Sequence, residues 1–113
     1  MKQEQIDALR HQAIADQGLL IDGLWAAAAS GQTLPVVSPI DGQPLCTIAA
    51  AGQADVDRAV QAARRSFEQG VWSRMAPAER KKVLHRIADR IEAHHAELAV
   101  LGVRDNGTEI AMA

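Results

Sequence analysis

The sequence predicts a small α+β chain with one N-terminal helix, two β-hairpins and then three helices. Three observations carry this. Residues 19–50 run in short apolar stretches broken at Asp22-Gly23 and Asp41-Gly42, as hairpins do. From Gly52 onward the apolar period becomes helical. The chain has 113 residues, 48% hydrophobic and 23% charged, which suits one soluble domain.

Each element has its own justification. Residues 4–16 read as an amphipathic helix, with Ile6, Leu9, Ala13 and Ile14 on one face and Gly18 as its stop. Leu19-Leu20-Ile21 and Leu24-Trp25 flank Asp22-Gly23, which tolerates the positive φ of a type I′ turn. Residues 26–32 read as loop. Residues 33–37 read as a strand, Asp41-Gly42 as a second turn of the same type, and 45–49 as the return strand. Val56, Ala59, Val60, Ala63 and Phe67 then form a helical stripe. Asp55 and Asp57 lie at its start and Arg64 and Arg65 further along, as the helix dipole favours. Gly70 closes it.

Pro77 fits the first position of the next helix. Val83, Leu84, Ile87, Ala88 and Ile91 are its expected buried face, and Leu98 and Leu101 continue the stripe. A bend is expected near residues 93–95. An unbroken helix would bury His94 and run for about 42 Å. Asn106-Gly107 is the stop signal.

Composition excludes several function classes. No apolar run is long enough to span a bilayer, and the polar start MKQEQIDALR lacks a signal core, so a cytoplasmic protein is expected. Cys46 is the only cysteine, which rules out an intrachain disulfide and a multi-cysteine zinc site. The net charge of -2 hides an asymmetry. Residues 58–90 hold nine basic and three acidic side chains, between two acidic blocks. Such a block can contact nucleic acid. Here Glu79 and Asp89 interrupt it and no aromatic residues interleave, so a solvated helix face is the better reading.

No self-contained active site is legible. Cys46 has no basic neighbour in sequence to lower its pKa. His11, His85, His94 and His95 form no metal pattern, and His85 with Asp89 reads as a surface pair. Glu92 and Glu97 are two helix acids without a partner motif. The eight glycines never fall into GxGxxG or a P-loop.

The order of motifs says more than any one of them. LLIDGLW (19–25), TLPVVSPIDGQPLCTIA (33–49), the helical run 55–101 and DNG (105–107) follow in succession. This succession resembles the N-terminal part of the NAD(P)-dependent aldehyde dehydrogenase superfamily. The polar leader is most similar to that of bacterial enzymes acting on aminoaldehydes. The resemblance implies a leader over 1–17, then residues 18–113 as an incomplete Rossmann-like α/β coenzyme-binding domain. It implies that the parent enzyme oxidises an aldehyde to a carboxylic acid with NAD or NADP. The catalytic cysteine, the glutamate and the coenzyme-binding strands of the family lie beyond the matched region, so Cys46 does not inherit the catalytic role. The chain alone is then expected to bind no coenzyme and to be inactive. Its expected partner is the remainder of the dehydrogenase, as in a split enzyme. A small helical binding module, working through the basic block or uncovered apolar faces, is the alternative.

Two further expectations rest on the resemblance. The family's structural monovalent cation, Na⁺ or K⁺, would take oxygen ligands from Val36, Val37 and Asp105. Trp72, after Gly70, would cap the space between helices. The sequence also departs from the family. Ser38 stands where Asn is usual before the proline, Gly102 interrupts a helix, and Thr108 replaces the usual lysine. With the family's sheet absent, the stripes of 56–67 and 83–101 are expected to pack on one another and on the hairpins, leaving apolar patches and low stability.

Overall fold

The computed structural model describes residues 1–112. Helix α1 spans Gln3–Arg10. Strands β1 (Leu19–Ile21) and β2 (Leu24–Ala26) pair antiparallel, as do β3 (Thr33–Val37) and β4 (Pro44–Ala49). Helices α2 (Gln53–Gln69), α3 (Pro77–Ala93) and α4 (His95–Asn106) follow, with a 3₁₀ turn at Ile110–Met112. The small α+β architecture with two hairpins and three following helices is the expected one.

Helix α1 is shorter than its sequence pattern. It ends at Arg10 rather than continuing to residue 16. Asp16 and Gln17 are drawn off to β4. Thr47 N donates to Asp16 Oδ1 at 2.7 Å, Gln17 N donates to Thr47 O at 2.9 Å, and Ala49 N donates to Gln17 O at 2.9 Å. Gly18 therefore stops no helix. It passes close to β2, where a Cβ would lie 2.7 Å from the Ala26 carbonyl oxygen.

The first hairpin has the expected turn, with Asp22 at φ 54° and Gly23 at φ 75°. The second does not. Among its turn residues only Gly42 has positive φ. The ladder shifts register between Val36 and Val37, and Ser38 N donates to Gln43 O at 2.9 Å to close a wider loop. A type I′ turn would need positive φ at Asp41 as well.

Helix ends follow the sequence signals. Gly70 and Gly107 cap α2 and α4 in the left-handed conformation, and Pro77 opens α3. Gly70 is also overlaid by the Arg74 side chain, whose Nη2 donates to Glu68 O at 2.6 Å. The long apolar run breaks at His94, the joint between α3 and α4.

Packing departs most from expectation. The stripes of α2 and α3 do not pack on one another: Val56, Val60, Phe67, Leu84, Ile87 and Ile91 all remain exposed. Trp72 also stays partly exposed. Among the described residues the buried apolar ones are instead Ala28, Ala62, Ala96 and Val100. Ala96 and Val100 lie on α4, which packs against α1. The Arg104 guanidinium joins this contact, donating from Nη1 to Gln12 O at 2.7 Å, where its charge favours the C-terminal end of α1.

The molecule is a plate of 45 × 40 × 18 Å. Its radius of gyration is 17.7 Å, against about 13 Å for a compact chain of this length. Its accessible surface is 8704 Å², about 2,700 Å² above the ~6,000 Å² expected at 12.1 kDa. The apolar patches foreseen from the sequence are therefore present. Their origin is that the stripes find no partner within the chain.

Candidate functional site

The most deeply buried polar side chain among the described residues is Asp55, which is only 2% exposed. Gly52 N donates to its Oδ2 at 3.0 Å and Ala29 N to its Oδ1 at 3.0 Å. Arg58 Nη2 donates to Oδ1 at 2.6 Å. Asp55 thus caps α2 and pins the Ala29 loop, 26 residues earlier, to that helix end. The Gly52 amide, then the Arg58 guanidinium, hold its carboxyl below the ordinary carboxylate range, although burial opposes this. A carboxylate so fully occupied is a latch rather than an acid or base. From the sequence alone Asp55 has a dipole role at the helix start. Glycine at the cap position with an acid three residues later was the available signal, but the Ala29 contact is tertiary.

A second centre lies where α1, the β3–β4 turn and α4 converge. It is a cleft of about 260 Å³, with Arg10, His11, Ser38, Asp41 and Arg104 as its polar lining. Ser38 is buried, and its hydroxyl accepts from Ile40 N at 3.2 Å. This is the local turn bond that an Asn would also make, so Ser38 preserves the corner. Gln43 N donates to Asp41 Oδ1 at 3.1 Å and, with the Ser38 hydroxyl, holds the Asp41 carboxyl below its usual range.

The expected cation ligands flank this corner. Val36 and Val37 sit at the register shift, and Val37 pairs with Pro44, which has no N–H to donate. Asp105 is in the last turn of α4, exposed. Gly107 lies against the turn, where a Cβ would be 3.4 Å from Pro39 Cγ. Among the described residues no three side chains of His, Cys, Asp or Glu converge as a metal site.

The remaining candidates are scattered. Cys46 is half-buried in β4. His94 Nδ1 pairs with Glu97 at 3.1 Å, and His95 Nδ1 contacts Glu92 O at 3.0 Å, both helix-local. No helix of the described residues is long and apolar enough to cross a membrane.

Comparison with known proteins gives these features a setting. The aldehyde dehydrogenase family profile matches residues 25–113. The NADP/NAD-dependent aldehyde dehydrogenase PuuC of Escherichia coli is 47% identical over 92 residues, covering 81% of this chain and 19% of that protein. The benzaldehyde dehydrogenase of Antirrhinum majus is 42% identical over 89 residues, covering 79% of this chain and 17% of that protein. A crystal structure of indole-3-acetaldehyde dehydrogenase superposes with a TM-score of 0.87 at 39% identity, over 96% of this chain and 24% of the other. The betaine aldehyde dehydrogenase of Staphylococcus aureus, solved with NAD⁺, gives 0.83 at 32% identity, over 96% and 21%. The chain thus spans about a fifth of the length of these relatives. It belongs to the aldehyde dehydrogenase family and corresponds to the N-terminal segment of that family.

Proposed function

We propose that this chain forms the N-terminal part of the Rossmann-like coenzyme-binding domain of an NAD(P)-dependent aldehyde dehydrogenase, with residues 1–17 as a leader. The observation that carries this reading is the joint agreement of sequence and fold with an NAD⁺-bound relative over 96% of the chain. The parent enzyme oxidises an aldehyde to a carboxylic acid, using a cysteine thiolate as nucleophile and the coenzyme as hydride acceptor. Those groups belong to parts of the family fold outside the region matched here. The contribution of this chain is architectural. Asp55 locks the α2 entry, and Arg104 and Val100 lock α1 onto α4. By itself the chain neither binds coenzyme nor turns over aldehyde. The parent acts in the cytoplasm, and the resemblance of the polar leader to that of bacterial enzymes acting on aminoaldehydes favours an amino-substituted substrate.

In the same reading the carbonyls of Val36 and Val37 and the Asp105 carboxylate donate oxygens to a Na⁺ or K⁺ ion. The contact of Gly107 with Pro39 supports it, since it brings the two ligand-bearing segments into one corner. Further ligands would come from the rest of the fold.

The experiment follows NAD(P)H absorbance with several aldehydes. No turnover is expected from the 113 residues alone. Turnover is expected when they replace the matched segment of the Escherichia coli relative. Activity of the isolated chain, or an inactive chimera, would overturn the reading. Titrating the chimera with KCl or NaCl, against a choline chloride control, should raise its Tm only with the metal cations.

A further inference from the structure

The cleft where α1, the β3–β4 turn and α4 converge carries charge of both signs. Arg10 and His11 line it from the end of α1, Arg104 from α4, and Ser38 and Asp41 from the turn. Ile6, Ile40, Leu45, Val100, Val103 and Ile110 are the rest of its lining and are apolar. The Arg104 guanidinium is fixed in place, with Nη1 donating to Gln12 O at 2.7 Å and to Leu9 O at 3.4 Å. Those bonds occupy carbonyls at the end of α1 that would otherwise repel an anion. Among the described residues the Nη2 and Nε donors of Arg104 have no protein acceptor. Arg10 is held loosely, its Nη1 lying 3.9 Å from Asp7 Oδ1. Asp41 stays ionised at neutral pH, because the Gln43 amide and then the Ser38 hydroxyl favour its charged form. A carboxylate offers about four lone-pair sites, so these two donors leave room for a third.

We propose that this cleft binds a small ω-aminocarboxylate, with its carboxylate on Arg104 and Arg10, its ammonium on Asp41 and its methylene chain on the apolar lining. Nothing in this recognition depends on the proposed function. Each class of lining residue selects one part of the ligand. Two guanidinium groups match a carboxylate, and His11 adds a ring nitrogen that can donate. A phosphate or sulfate would bring a second negative charge against Asp41, and a simple amine would meet two guanidinium groups. The basic groups stand on the helices and the acid on the hairpin turn, so a ligand that satisfies both carries its charges apart. The volume of about 260 Å³ lies below the usual range of about 300–1,000 Å³ for ligand sites, which limits the chain to a few carbons. A bound ligand would touch α1, the turn and α4 together, and so hold α1 down.

The test titrates the 113-residue chain with ω-aminocarboxylates of increasing length, from 3-aminopropanoate to 6-aminohexanoate. Amide NMR shifts locate and quantify binding, and hydrogen exchange reads α1. The carboxylate and the amine of matched length, and sulfate, are the comparisons at constant ionic strength. Saturable shifts are expected at residues 10–11, 38–41 and 104 for at least one length, with α1 amides slowed. The matched carboxylate, the matched amine and sulfate should each bind at least about threefold more weakly, since each forfeits a charge-assisted contact. Arg10→Gln and Asp41→Asn should each weaken the aminocarboxylate by about three- to tenfold. Both residues are exposed, and Asn keeps the Oδ1 that accepts from Gln43 N, so the CD of both variants should match the parent. Arg86→Gln, on α3 and outside the cleft, should bind as the parent does.

Absence of saturable shifts at the cleft for every length would overturn the site. Equal binding of sulfate or of the matched carboxylate would reduce it to a patch of positive charge and overturn the ligand class. Affinity left unchanged by both Arg10→Gln and Asp41→Asn would do the same. None of these results touches the dehydrogenase reading, which the chimera tests by turnover.

Discussion

Val60 and Val100 offer a matched test of where the core lies. Both are helical valines, and each can be cut to alanine. Val60 stands on the regular stripe of α2, yet it is 61% exposed. Val100 lies off the stripe expected for α4, yet it is 5% exposed and sits against α1. Removing two carbons from a fully buried site costs about 1.6 kcal/mol in transfer free energy. The unfilled space adds roughly 0.5–1 kcal/mol, and the better helix propensity of alanine returns about 0.5 kcal/mol. Val100→Ala should therefore destabilise by about 2 kcal/mol. At Val60 the lost contact is about 0.6 kcal/mol and the same propensity gain offsets it, leaving roughly zero. The contrast of about 2 kcal/mol corresponds to a Tm lower by about 8 °C for a chain of this size. Urea unfolding and thermal melts followed by far-UV CD would measure it. Equal effects for the two variants would refute the packing of α4 on α1 and restore the sequence stripe as the core.

Three further outcomes follow from single contacts. Asp55 is held below the ordinary carboxylate range, so its contribution is complete above about pH 4 and fades as pH falls through its lower folded value. Asn at 55 should lower the urea midpoint at pH 7, with a gap to the parent that narrows by pH 3; a constant gap would contradict the latch. Gly18→Ala forces a Cβ to within 2.7 Å of the Ala26 carbonyl and should cost about 1–3 kcal/mol, seen as faster hydrogen exchange in β1 and β2. Arg104→Ala removes the 2.7 Å bond to Gln12 O and should release α1 at a cost of about 1–2 kcal/mol, with Lys restoring only part of the protection.

Elements were legible in this sequence because their signals are local. Asp22-Gly23, Gly70, Pro77 and Gly107 each act within a few residues, and each sits where its chemistry requires. The bend at His94 was legible because a buried imidazole is costly. What was not legible is set at a distance. Helix α1 stops early because Asp16 bonds Thr47, 31 residues on. The Asp41-Gly42 turn is widened by a register shift that the dipeptide does not encode. The stripes of α2 and α3 mark genuine apolar faces, but periodicity says only that a face wants cover and not whether this chain supplies it. Asp55 carries the same lesson for polar groups: its cap is local, and its grip on Ala29 is not.

The contact between α1 and α4 has a consequence for synthesis. The hairpins, α2 and α3 are stabilised mainly by neighbours in sequence, so each can form as it leaves the ribosome. Helix α1 is different. Its capping guanidinium belongs to a residue 92 positions after the carbonyl it binds. Helix α1 must therefore wait, unattached, until α4 has emerged. Its docking reports that α4 is complete, which makes α1 the last of these elements to become ordered.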